Sequence, residues 1–143
     1  MTNLVIRPNR VAKEIDSFFN DFFNYPSVWA NGEADFVPRV DIIESDDHVK
    51  MNFEVPGMNK DDIKVSVKNK VLSVSGERKV EKEEKNDSYV RSEIRTGSFC
   101  RSFTLPETID PDKIKADYKN GILEVSLAKR EEVKPKEIEV KVS

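Results

Sequence analysis

One histidine, one cysteine and two adjacent aspartate pairs are the side chains of this 143-residue chain that invite a chemical reading. A Ser/His/Asp or Cys/His relay would have to be built on His48, which stands where a turn leads into a strand, and there a solvated turn residue explains it as well. Cys100 has no CxxC companion, and a second histidine for a metal site is missing. Asp46-Asp47 and Asp61-Asp62 are neighbours along a turn or strand, so their carboxylates point apart, and ordinary turn chemistry accounts for both pairs. The glycines at 32, 57, 76, 97 and 121 form neither GxGxxG nor GxxxxGK, so ATP use is not indicated. The expectation is a protein that is not an enzyme, with no catalytic residue, no cofactor and no metal.

The elements that would position any site are strands. Ile114, Ala116 and Tyr118 alternate with Lys115, Asp117 and Lys119, and Asn120-Gly121 supplies the positive-φ pair of a two-residue turn. Leu123, Val125 and Leu127 then resume the alternation, which makes 113–127 a β-hairpin. Upstream, Val40 and Ile42 begin a period of two that continues through Val49, Met51, Phe53 and Val55 and stops at Pro56-Gly57. Ile63, Val65 and Val67 form the next strand, Asn69-Lys70 a turn, and 71–75 another strand with Leu72 and Val74 inward. The result is an antiparallel, all-β meander. Residues 77–87 are nearly all charged and read as an extended excursion, with a short strand expected at Tyr89-Val90-Arg91. Phe99, Phe103 and Leu105 mark a long strand whose inward row also contains Arg101, a charge that needs a partner or an edge position. Residues 107–112, with Pro111, read as a loop.

Length allows one domain with appendages. Charged residues make up 36% and apolar ones 37%, a low apolar share for a sheet covered on both faces, so other copies of the chain are expected to contribute apolar surface. A net charge of −3 with interleaved signs leaves no basic footprint for nucleic acid. The single cysteine and an N-terminus without a secretory pattern imply a reducing cytoplasm, and no apolar run approaches the ~20 residues that span a bilayer. Stable membrane insertion is therefore not expected.

Both ends differ from the middle. In the arm, residues 1–35, Val11, Ile15, Phe18, Phe19, Phe22 and Phe23 recur at helical spacing, followed by Tyr25 and Trp29, with Pro26, Asn31 and Gly32 as breakers. Burying one such ring contributes ~1.5–3 kcal/mol, so four left in water would drive self-association, contact with other unfolded chains, or both. The domain proper is expected over 36–129 and a tail over 130–143. The run from 129 to 137, charged apart from Val133 and Pro135, would reach ~30 Å when extended at about 3.3 Å per residue. At its far end Ile138-Glu139-Val140 is a strand-forming triplet on a solvated tether, suited to strand addition on a neighbour.

In order along the chain stand the aromatic arm, Val55-Pro56-Gly57 with 61–67, Leu72-Ser-Val-Ser-Gly-Glu-Arg78, and Gly97-Ser-Phe99-Cys-Arg101-Ser-Phe103-Thr-Leu105-Pro106. Ala116, Gly121, Ile122 and Leu123 follow in A-x4-G-[VI]-L spacing, and Ile138 and Val140 end the series. Together these resemble the small heat-shock proteins of the bacterial and plant type. The resemblance implies an immunoglobulin-like β-sandwich, the α-crystallin domain, that dimerises by exchanging a loop strand around Ser88, Tyr89, Val90 and Arg91. It implies a large homo-oligomer built from dimers, whose tails enter a groove formed by Ile63, Val65, Val67, Ile114, Ala116 and Tyr118 of a neighbour. It also implies ATP-independent holding of non-native client proteins, for which Phe18, Phe19, Phe22, Phe23 and Trp29 would be the adhesive surface. Val140 departs from the commoner isoleucine by one methylene, about 1 kcal/mol per docked tail. The competing expectation is a co-chaperone-like sandwich module that docks on one folded partner, which would need neither aromatic arm nor terminal motif.

Overall fold

The computed structural model describes residues 36–80, 86–134 and 139–142; Phe18, Phe19, Phe22, Phe23, Trp29 and Ile138 lie outside them. Among the described residues the strands are β1 Val40–Glu44, β2 His48–Glu54, β3 Ile63–Lys68, β4 Val71–Arg78, β5 Gly97–Thr104, β6 Ile109–Lys119 and β7 Ile122–Lys129. They form a four-stranded sheet in the order β1-β2-β7-β6 and a three-stranded sheet in the order β3-β4-β5. Every pairing is antiparallel. This is an immunoglobulin-like β-sandwich.

Period-two patterning makes each sheet apolar on one face. On β2 the buried Val49, Met51 and Phe53 stand opposite Leu127, Val125 and Leu123 of β7, so the two central strands present one continuous apolar surface. The facing sheet supplies Leu72 and Val74 from β4 and Phe99 and Phe103 from β5. Phe53 and Phe103 meet edge to face across the gap at 5.8 Å between centroids, an arrangement that suits the ring quadrupoles.

Two glycines are dictated by space or backbone. Gly121 lies at φ 78° after Asn120 at 53°, closing the β6–β7 hairpin, and a Cβ there would stand 3.0 Å from Cβ of Pro56. The amide of Val55 donates to the Gly121 carbonyl at 2.9 Å, so the hairpin tip and the Val55-Pro56-Gly57 turn interlock. Gly76 has no room for a side chain: its Cβ would fall 2.7 Å from the Asp62 carbonyl oxygen and 2.8 Å from the Phe99 ring. The turn at Asn69-Lys70 also uses positive φ, 50° and 62°.

Four expectations need correction. β6 begins at Ile109 rather than after a loop, and carries Pro111 within it, because β6 is an edge strand and its register shifts between Ile109 and Ile114. β4 runs on to Arg78, since Glu77 and Arg78 find partners in Ser98 and Gly97. Tyr89-Val90-Arg91 is an exposed irregular segment; nothing described in the chain pairs with it. Lys129, read with the charged run 129–137 that follows the last strand, is the buried last residue of β7, and its amine pairs with Glu44 at 2.5 Å.

Candidate functional site

A two-sheet sandwich has two seams where the sheet edges meet, and this chain treats them differently. Beside β5 and β1 the segment before β1 covers the core. The amide of Phe36 donates to the Ser98 carbonyl at 3.4 Å, its ring lies 5.4 Å from that of Phe99, and the Arg78 guanidinium stacks 4.4 Å above it. Arg101, the charge in the inward row, donates from Nη1 to the Pro38 carbonyl at 2.9 Å and lies 5.3 Å over the Phe103 ring. It therefore has both an edge strand and a partner. Burial pushes its pKa down, yet a guanidinium stays protonated and the hydrogen bond is charge-assisted.

Beside β3 and β6 the seam is open. A groove of about 470 Å³ is lined by Ile63 and Val65 of β3, Ala116 and Tyr118 of β6, Leu123 of β7, and Lys60 and Asp61 from the 3-10 turn that leads into β3. Ile63, Val65 and Tyr118 are half-buried and Ala116 is exposed. The Tyr118 hydroxyl lies 2.9 Å from the Val55 carbonyl and 3.1 Å from that of Met58, and shares its proton between them, which fixes the ring as one wall. The 3-10 turn is held by Asp62, whose carboxylate accepts from the Asn59 amide at 3.1 Å and pairs with Lys79 at 3.2 Å. The Asn59 amide first, and Lys79 second, lower its pKa. Among the described residues β3 pairs only with β4 and β6 only with β7, so each offers an unpaired hydrogen-bonding edge there beside an apolar trough. Such a trough admits alternate side chains of an extended peptide.

Four of the groove residues named from sequence thus come together, while Val67 and Ile114 are half-buried against the core and do not line it. Sequence reasoning missed Leu123, Lys60 and Asp61. Leu123 was reachable, since it faces Tyr118 across the hairpin; the two turn residues were not, because their position depends on how the turn is braced. Val140 is 77% exposed. Ser88, Tyr89, Val90 and Arg91 lie on the surface, with Arg91 paired to Glu93 at 2.8 Å.

The tail leaves from a fixed root. The Arg130 amide donates to the Thr108 carbonyl at 2.8 Å, its Nε donates to the Glu107 carbonyl at 2.8 Å, and a 3-10 turn, Glu131–Val133, follows. The chain is therefore anchored as far as Lys134 rather than leaving at 129, and four residues from there to Ile138 can span at most about 14 Å instead of the ~30 Å expected. Elsewhere, His48 hydrogen-bonds Asp47 at 2.6 Å on the surface and Cys100 is an exposed free thiol. Among the described residues no three His, Cys, Asp or Glu side chains are grouped to hold a metal, and no helix is long and apolar enough to cross a membrane.

Residues 41–143 match the Hsp20/alpha crystallin family. Small heat shock protein C2 of Rickettsia felis is 38% identical over 141 residues, covering 99% of this chain and 91% of its own length. A 17.5 kDa class I heat shock protein of Glycine max is 39% identical over 82% of this chain and 77% of its own. Among solved structures, a small heat-shock protein from Xylella fastidiosa, described as having a distinct high order structure, superposes with a TM-score of 0.65 at 38% identity, covering 76% of this chain and all of that one. Heat shock protein 16.0 from Schizosaccharomyces pombe gives 0.64 at 34% identity, covering 76% and 99%. Family match, whole-length relatives and sandwich agree: this chain belongs to the Hsp20/alpha crystallin family, as a small heat-shock protein.

Proposed function

We propose that the protein is an ATP-independent holdase that binds unfolding proteins through apolar surface and works as a cytoplasmic homo-oligomer built from dimers. The open β3/β6 seam carries this reading, because it leaves an apolar trough between two free edges while Val140 projects from the same chain. Ile138 and Val140 of one subunit enter the groove of another, with Ile63, Val65, Ala116 and Tyr118 forming the pockets. The exposed segment from Ser88 to Arg91 gains a partner when a second copy supplies one, which gives the dimer. Phe18, Phe19, Phe22, Phe23 and Trp29 of the arm, residues 1–35, cover exposed apolar surface on clients before clients meet one another. The sandwich, 36–129, is the scaffold, and 130–143 is the connecting tail. Charged stretches keep the loaded complex in solution.

Two measurements test this. Removing residues 1–30 should abolish suppression of client aggregation while the sandwich still melts cooperatively; undiminished protection would move the client site into the sandwich. Replacing Ile138 and Val140 by alanine should lower the particle mass in size-exclusion chromatography with light scattering. An unaltered mass would remove the tail from the assembly and favour a module that docks on one folded partner.

A further inference from the structure

Next to the closed seam lies a second cavity, of about 360 Å³. Phe36, Pro38 and Pro56 give it apolar walls, and Arg39, Arg78 and Arg95 bring three positive charges against the single negative charge of Glu54. Arg78 is held in place by its stacking on Phe36 and by donation from Nη1 to the Arg95 carbonyl at 3.1 Å. Its Nε is shut off from solvent and has no acceptor among the described residues. Arg39 and Arg95 are exposed and make no ion pair among the described residues. A pocket with spare guanidinium donors and apolar walls suits carboxylates carried on a peptide.

The sequence supplies such carboxylates at the right distance. Asp35 directly precedes Phe36, and Glu33 is three residues away, within about 10 Å of chain. From residue 14 to residue 38 there is no lysine or arginine, so this stretch brings only negative charge toward the arginines. We propose that Glu33 and Asp35 dock in the Arg39/Arg78/Arg95 pocket and latch the foot of the N-terminal arm onto the sandwich. What the docking means for clients rests on the reading of the arm as the client-binding segment. The docking itself does not depend on that reading.

The test is hydrogen exchange, followed by mass spectrometry, of the peptide covering residues 30–38 in the full-length oligomer. At low salt the E33Q/D35N variant should exchange there about three- to tenfold faster than the parent, the scale set by two partly exposed charge pairs. Salt raised from about 50 to about 500 mM should erase the difference. The R39E/R95E variant changes two exposed side chains, leaves Arg78 on Phe36, and should show the same loss. Combining it with E33K/D35K should restore protection. Equal exchange in parent and E33Q/D35N, or a charge swap that restores nothing, overturns the proposal. The chain lacking residues 1–30 keeps both carboxylates, so its performance with clients decides the arm reading separately.

Discussion

Along the β1/β5 seam the chain covers its own core with Phe36 and Pro38, whereas along the β3/β6 seam Ile63, Val65 and Tyr118 are half-exposed beside two strand edges unpaired among the described residues. Both seams present the same physical problem, since apolar side chains at a sandwich margin meet water unless something lies over them. On one side the covering segment is contiguous with the first strand, so ordering it costs little extra chain entropy. On the other no described segment lies over the groove. A closed seam is thus a matter of stability, and an open one, on the function proposed, a matter of association.

The comparison can be broken by mutation, and the largest effect belongs to the closed side. Phe36→Ala should lower unfolding free energy by about 3–5 kcal/mol, the range for a buried phenylalanine, seen as a shifted denaturant midpoint. A near-neutral result would mean that Phe36 is not part of the core. Arg101→Met should cost about 1–3 kcal/mol, because the Pro38 carbonyl loses a charge-assisted donor. Tyr118→Phe keeps the ring but frees two carbonyls, for about 1 kcal/mol, and should loosen the groove wall enough to weaken binding of a peptide copied from residues 134–142. Val65→Ala should cost at most about 1 kcal/mol in stability while reducing that binding; if stability falls as far as for Phe36→Ala, the two seams are alike after all.

Acid should have the smallest effect. Asp47 is held below its usual value of 3.8 chiefly by the His48 hydrogen bond, Asp62 chiefly by the Asn59 amide, and Glu107 below 4.5 chiefly by Lys70. Depressed folded values mean stability that is fully present above the ordinary carboxylate range and lost as pH falls through the folded values. Melting temperature should therefore stay level from neutrality to about pH 5 and drop only below the ordinary values, and Asp62→Asn should flatten part of that drop.

How much could be read in advance followed the range of the interactions. Val49-Met51-Phe53, Leu72-Val74 and Leu123-Val125-Leu127 announce themselves because alternation is local and one face of each sheet is buried. The turns at Asn69-Lys70 and Asn120-Gly121 were equally plain from residue type. Pro111 misled, because only the sheet order makes β6 an edge where a missing amide does no harm. Lys129 misled for a similar reason: its partner Glu44 is 85 positions away, and nothing local distinguishes a buried lysine from a solvated one. For the groove, the alternating β3 and β6 residues were legible while Lys60 and Asp61, placed by the braced turn, were not.

The anchoring of the chain through Arg130 and Glu131–Val133 has a geometric corollary. If the tail docks as proposed, so short a leash sets a neighbour's trough almost against the point of departure, and adjacent domains can be arranged in only a few ways. On the same reading, lengthening the leash by a few glycine and serine residues after Lys134 should relax that restriction and broaden the spread of particle sizes seen by light scattering.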